Sequence, residues 1–339
     1  ESLETDCYNS SIATATLRVD KAAQNSFAII AGPDYDIVEG QISKTYGDAA
    51  FVLKTLDKLS SGSVLYLVES GHDVVSVDKS SGEVVLLKSG TAVVRAISPT
   101  DDRYSSANSQ VTIRVERANQ RGFAFAEDII TKTYGEASFT IPISGGESTG
   151  QVTYKVTSGQ DIVSIDRTSG RITLLRAGRA TVTATKAADS KYNAADATID
   201  ILVEKAVPPP VIFPVADPIA YGQKLSDSLL SMGSGDGTFT WEIPDTIPNA
   251  GVGSYTVVFI PNDTDNFDYT NITLRQKVPL AVRKAPQVPL NVNGIPGRLI
   301  FGNGPFRLNV HGGSGTGRLS YAIISGSAVT IDAAGKVRI

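Results

Sequence analysis

Lys44-Thr45-Tyr46-Gly47 and Lys132-Thr133-Tyr134-Gly135 are the same four residues 88 positions apart (132 − 44). The interval persists downstream, pairing Tyr66 with Tyr154, Asp78 with Asp166, Gly82 with Gly170, Gly90 with Gly178 and Tyr104 with Tyr192. Superimposed without a gap, 44–118 and 132–206 share 32 of 75 residues. A period of this size means that one structural unit is used repeatedly, and it fixes the architecture before any local reading begins.

The flanks belong to the same series. Residues 6–22 repeat the end of each copy, as at 189–206, and read as the last strand and a half of a preceding unit. Toward the other end, Ile300-Phe301-Gly302, Gly312-Gly313 and Asp332-Ala333-Ala334-Gly335-Lys336-Val337 restart the pattern. The chain then stops at Ile339, before the strand that 178–185 supply in the second copy. Residues 208–286 are a divergent relative, with Tyr221-Gly222 for Tyr134-Gly135 and Asp265-Asn266-Phe267 for the Asp-x-Tyr loop. The expected division is 1–24, 25–119, 120–207, 208–286 and 287–339, an excerpt of a longer array.

Within a unit the apolar pattern has period two, which marks a strand with one buried face. Val64, Tyr66 and Val68 alternate with Leu65 and Leu67; Val75 and Val77, Ala92, Val94 and Ala96, and Val111, Ile113 and Val115 follow. No stretch of 10–12 residues has a capped helical period. Turn signals recur at Ser61-Gly62, Ser70-Gly71, Ser81-Gly82 and Ser89-Gly90. Short strands punctuated at this interval predict an all-β chain of tandem immunoglobulin-like β-sandwiches. Asp78 to Gly82 and Asp166 to Gly170 read as hairpin turns, the Asp bonding forward and the Gly taking positive φ. A phosphate cradle there would need a following helix, and the pattern has none.

Composition narrows function. Among 339 residues, 31 Lys and Arg against 35 Asp and Glu give a net charge of −4, which excludes a large basic footprint for nucleic acid. Two histidines and one cysteine leave little material for nucleophile or zinc chemistry. His72 corresponds to Gln160 in the second copy, so the repeat does not need a base there, and His311 precedes a Gly-Gly turn. No apolar run is long enough to span a membrane, and no signal peptide is present. Met232 is the single methionine, so Glu1 is not a translation start. Cys7 cannot form an internal disulfide, which is neutral on compartment. The expectation is no catalytic, cofactor-binding or metal site.

The run Tyr-Gly, Gly-x-Val-x-Tyr, Val-Ser-Ile-Asp-x-x-x-Gly, Ala-Gly-x-Ala-x-Val-x-Ala and Asp-x-x-Tyr-x-x-Ala resembles the bacterial immunoglobulin-like repeats of surface proteins, including invasin- and intimin-type adhesins and cell-wall proteins. The copy at 121–206 carries the whole pattern; the first departs at Lys88-Ser89-Gly90-Thr91, and the third departs more, with Gly253-Ser254-Tyr255-Thr256-Val257 as a landmark. The resemblance covers almost all of the chain. It implies an extracellular setting at a bacterial surface or wall, cell adhesion or a stalk role, and no enzyme. It also leaves open an intramolecular Lys–Asn or Lys–Asp isopeptide bond, which an intact mass short by one ammonia or water would reveal.

Linkers suggest how units join. Only Glu116 to Gly122 separate Val115 from Phe123, whereas Val207-Pro208-Pro209-Pro210-Val211 favours a semi-rigid extended spacer. Strands of this length predict a rod of roughly 120–160 Å if the units are collinear. Neighbouring repeats of the same chain are then the first partners.

Binding candidates remain. Phe27 to Tyr46 is eight residues longer than Phe123 to Tyr134, which places an insertion at 31–38, Ala31-Gly32-Pro33-Asp34-Tyr35-Asp36-Ile37-Val38. Surface insertions often carry binding function; a host-cell or matrix protein or a glycan is the partner this one would take. In 208–286, Trp241 and Phe239 could stack a sugar, although core packing of one ring competes with that reading. Asp101 and Asp102 before Tyr104, Asp189 before Tyr192, and Asp263 and Asp265 before Phe267 could line calcium loops. The competing reading is a turn capped by Asp with the ring folded over the core edge, and the absence of Asp-x-Asp-x-Asp-Gly spacing favours it. Asn9-Ser10-Ser11, Asn262-Asp263-Thr264 and Asn271-Ile272-Thr273 match a glycosylation pattern short enough to arise by chance.

Overall fold

The structure, a computed structural model, describes residues 5–339, which fall into two compact units divided between Ala206 and Val207. It is all-β: among the described residues the single helical element is one 3-10 turn, Leu225–Asp227. Residues 1–4 of the expected first segment lie outside the described residues.

The earlier copy in the first unit comprises β1 (Ala28–Ile30), β2 (Gln41–Thr45), β3 (Phe51–Val52), β4 (Lys54–Leu56), β5 (Leu65–Ser70), β6 (Val75–Val77), β7 (Glu83–Leu86), β8 (Gly90–Ser98) and β9 (Ala107–Glu116). One sheet has the order β2-β9-β8-β5, with β2 parallel to β9 and the other pairs antiparallel. The other layer is β3-β7-β6 with the small β1-β4 ladder. The later copy comprises β10 (Ala124–Phe125), β11 (Ile129–Thr133), β12 (Phe139–Thr140), β13 (Ile143–Ser144), β14 (Val152–Ser158), β15 (Val163–Ile165), β16 (Arg171–Leu174), β17 (Gly178–Lys186) and β18 (Ala195–Glu204). Its orders, β11-β18-β17-β14, β12-β16-β15 and β10-β13, reproduce the first copy strand for strand.

Alternation explains the burial. Ala92, Val94 and Ala96 of β8 and Val111, Ile113 and Val115 of β9 all point into the core, as do their counterparts in β17 and β18. Small residues sit opposite large ones: Ala92 pairs with Ile113, and Ala180 with Ile201. This complementarity fills the space between sheets, and each fully buried Ile or Val contributes about 1.5–3 kcal/mol.

The hairpins joining β6 to β7 and β15 to β16 close as the spacing predicts. Asp78 Oδ1 accepts from the Ser80 and Ser81 N–H groups at 3.0 and 2.7 Å, and Asp166 Oδ1 from Thr168 and Ser169 at 3.1 and 2.7 Å. Gly82 and Gly170 take φ of 73° and 69°. The rings of Tyr66 and Tyr154 lie so close that an added Cβ would meet them at 2.8 and 2.9 Å. Glycine is therefore required twice over, by backbone conformation and by space.

In the second unit, β19 (Val215–Ala216), β20 (Ile219–Ala220), β21 (Leu230–Ser231), β22 (Gly237–Trp241), β23 (Gly251–Pro261) and β24 (Arg275–Arg283) form a β20-β24-β23-β22 sheet and a β19-β21 ladder. Again the first strand of the sheet, β20, runs parallel to the last, β24. Beyond it lie β25 (Asn291–Asn293), β26 (Phe306–Arg307), β27 (Asn309–His311), β28 (Thr330–Ile331) and β29 (Lys336–Arg338), paired as β25-β27 and β26-β29-β28.

One sequence expectation is not met. Residues 6–22, expected as the last strand and a half of a preceding unit, hold no ladder among the described residues. Leu17 and Val19 are 91% and 92% exposed, whereas their counterparts Ile201 and Val203 are 0% and 2% exposed. A strand-compatible sequence forms no sheet without a neighbouring strand to bond.

Candidate functional site

The 31–38 insertion is built into the sandwich rather than hung from it. Tyr35 is buried: its hydroxyl donates to the Ile30 carbonyl (3.0 Å) and accepts from Lys54 N–H (2.7 Å), and its ring lies 5.1 Å from that of Phe51. Burial pushes its hydroxyl pKa up. Lys44 Nζ donates to the Asp34 carbonyl and sits 5.2 Å above the Phe51 ring. Glu39 and Gly40 carry positive φ of 51° and 76° as the chain turns back into β2. The outer side is a groove of about 640 Å³ lined by Asp34, Asp36, Val38, Glu39, Gln41 and Lys44, with Val38 exposed.

Trp241 and Phe239, the two aromatics singled out in 208–286, pack against the core. Trp241 is 4% exposed, and its Nε1–H donates to the Ser228 carbonyl at 3.3 Å. Phe239 lies between Phe213 and Phe259, with centroids 5.5 and 4.9 Å away. Where the sequence suggests one ring in the core, both are packed internally: β22 pairs with β23, and its alternation turns the two rings to the same inner face.

The acidic loops are turns held by their own carboxylates. Asp101 Oδ1 accepts from Arg103 and Tyr104 N–H, both at 2.8 Å, while Oδ2 takes Ser61 N–H at 2.7 Å. Asp189 does the same with Lys191 and Tyr192 (2.7 and 2.8 Å) and Thr149 (2.9 Å). These N–H donors, Ser61 and Thr149 foremost, lower both carboxyls to about 2. In the third loop Asp263 Oδ1 accepts from Asp265 and Asn266 N–H at 3.1 and 2.9 Å. Among the described residues no group of three His, Cys, Asp or Glu side chains is placed to share an ion. His72 and His311 are exposed and fall in different units, and Cys7 is exposed. Asn9, Asn262 and Asn271 are exposed as well.

The same loops receive the linker of the preceding segment. Ala118 N–H donates to the Lys191 carbonyl (3.0 Å), and Asn193 N–H donates back to Ala118 (2.8 Å), making a parallel bridge between Ala118 and Tyr192. Ala22 repeats this one copy earlier: its N–H donates to Arg103 (2.9 Å), Ser105 N–H returns to it (2.9 Å), and the bridge is to Tyr104. Around the Ala118 bridge, Tyr46 and Tyr192 meet edge to face at 5.5 Å, and Lys191 Nζ stands 5.2 Å above the Tyr46 ring. Ser89 N–H donates across the seam to the Ser190 carbonyl at 2.8 Å. Ser89 lies in the 88–91 stretch where the first copy departs from the pattern, but the bond uses its backbone N–H and not its side chain. The alanines are what the sequence reading passes over, although Ala22, Ala118, Ala206 and Ala285 each follow a Lys or Arg at a unit boundary.

No protein-family model matches the chain, and no curated protein matches it in sequence. Solved structures similar to it include mouse cadherin-23 EC22-24, at 13% identity over 72% of this chain and 96% of that one, with a TM-score of 0.29. Drosophila N-cadherin EC1-3 is 15% identical over 72% and 97%, with a TM-score of 0.31. Chicken VE-cadherin EC1-2 is 17% identical over 50% and 100%, with a TM-score of 0.23. Among the described residues no helix is long and apolar enough to cross a membrane.

Proposed function

We propose that the chain is a non-catalytic structural and adhesive repeat segment of a bacterial cell-surface protein, extracellular, acting as a stalk that presents other domains. The observation that supports this best is the recurrent seam, in which Ala22 and Ala118 dock on the Tyr104 and Tyr192 loops with the same two backbone bonds. A spacer needs a joint that repeats; a ligand site needs singular polar residues on one unit. The two sandwiches, alike strand for strand, carry the first. The division at 24/25, 119/120, 207/208 and 286/287 belongs to this reading.

A second reading, binding of a host protein or glycan, is favoured at one place, the groove beside the insertion with its exposed Val38. The test is a binding screen of the folded chain against glycans and matrix proteins. Deleting 31–38 is the wrong control, because it would remove the buried Tyr35 ring. Val38→Asp with Glu39→Lys alters the groove and spares the core. The stalk reading expects no saturable binding; a saturable hit lost in that double variant replaces it with the binding reading.

A further inference from the structure

Gln24 is 4% exposed, and both ends of its amide are hydrogen-bonded. Its Oε1 accepts from Leu59 N–H (2.9 Å), Ser60 N–H (3.1 Å) and the Ser98 hydroxyl (2.8 Å), and its Nε2 donates to the Ser105 carbonyl (2.7 Å). The Ser60 and Ser98 hydroxyls lie 2.9 Å apart and close the network. Gln24 stands two residues after Ala22, before the first strand of the copy whose loops it ties together.

Gln120 stands two residues after Ala118 and makes the corresponding bonds. Its Oε1 accepts from Ser148 N–H at 3.1 Å, and its Nε2 donates to the Asn193 carbonyl at 2.7 Å. Ser60 and Ser148 are equivalent at the 88-residue interval, and so are Ser105 and Asn193. The glutamines themselves are 96 apart (120 − 24), because the eight-residue insertion falls between them. The same pair of bonds therefore forms twice, from one linker position to one pair of backbone sites. Ala285-Pro286-Gln287 is a third instance in sequence, with the Gln287 amide beside Gly313 and Gly315. After Ala206 the corresponding position is Pro208, which has no amide to offer.

We infer that Ala-x-Gln is a plug carried at the boundaries that begin at Ala22, Ala118 and Ala285, and that the pole of the following repeat is its socket, so that boundary residues complete the fold of the repeat they lead into. The socket on the first copy is Leu59, Ser60, Ser98, Arg103 and Ser105. Without the amide, buried N–H groups lose their acceptor, and an orphaned buried donor is costly. The alanine supplies backbone pairing where a larger side chain is not needed, and the glutamine reaches two loops at once. The inference holds whether the segment is a spacer or a binder, since it concerns how neighbours couple.

The test uses the whole chain with Gln120→Ala, and Gln120→Asn, one methylene shorter, should the alanine variant not fold. Amide hydrogen exchange is read at Ser148, whose bond is removed, and at Ala118 and Asn193, whose bonds are not. A plug predicts faster exchange, by about tenfold or more, at all three, with the β15–β16 hairpin unchanged. Spin labels on Val85→Cys and Thr173→Cys in a Cys7→Ser background should then show a broadened distance distribution. Acceleration confined to Ser148 with an unchanged distribution would overturn the inference and reduce Gln120 to a local loop cap. Gln24→Ala gives an independent reading: a plug predicts faster exchange at Leu59, Ser60 and Ser105 together, and no change at Ser105 counts against it.

Discussion

A carboxylate ringed by peptide N–H groups stabilises a loop only while it is ionised. Asp101 and Asp189 are held at about 2 by three such donors each, against 3.8 for a free side chain. A group whose folded pKa is lowered contributes stability above its unfolded pKa and loses it as pH falls through the folded value. The chain should therefore lose thermal stability between about pH 4 and pH 2. Asp101→Asn with Asp189→Asn should flatten that part of the melting-temperature profile; parallel profiles for variant and parent would contradict the assignment. The sequence showed these residues as turn formers through the Asp-x-x-Tyr spacing, which is a local pattern. It did not show Gln24 as a buried anchor, because its hydrogen-bond partners lie 35 to 81 positions away and no local period marks them. Only the recurrence of Ala-x-Gln at unit boundaries carries that signal.

At the scale of elements, period-two reading was sufficient for β8, β9, β17 and β18, because an alternating strand buried on one face writes its own register into the chain. It was insufficient for β22, where Phe239 and Trp241 share one face and the sequence alone does not say which face is inside. It was also insufficient for the strand expected within 6–22, whose alternation is intact but whose pairing partner is not among the described strands. This contrast yields a prediction: Ile201→Ala in β18 should cost about 2–5 kcal/mol in chemical denaturation, whereas Leu17→Ala at the equivalent position should stay within about 0.5 kcal/mol. For the β15–β16 hairpin, Gly170→Ala forces positive φ on a side chain that meets the Tyr154 ring at 2.9 Å. Its expected cost is about 1–3 kcal/mol by the same measurement. An unchanged midpoint would mean that the ring relaxes and that the turn tolerates a Cβ.

Across the tandem copies, stability is approximately the sum of what each repeat contributes alone and what each seam adds. The seam between the first two copies includes one ring pair and one cation above a ring, so its side-chain part is small. A double-mutant cycle of Tyr46→Ala and Lys191→Ala should return a coupling of about 0.5–1 kcal/mol. A coupling indistinguishable from zero would leave the seam to its backbone bonds and the glutamine.

The parallel pairing of β2 with β9, repeated as β11 with β18 and β20 with β24, has a further consequence for a chain pulled from both ends. The entering strand is drawn one way and the departing strand the other, along a shared ladder of slanted hydrogen bonds. Those bonds must then slide past one another and break together in shear, whereas a hairpin pulled from its open end unzips one rung at a time. Once the short β1-β4 ladder has given way, β2 and β9 carry the load as a clamp. The two tandem copies thus have their strongest mechanical direction along the line of their entering and departing strands. In single-molecule stretching, a proline at Ile130 in β11 should lower the rupture force of that repeat far more than one at Thr153 in β14.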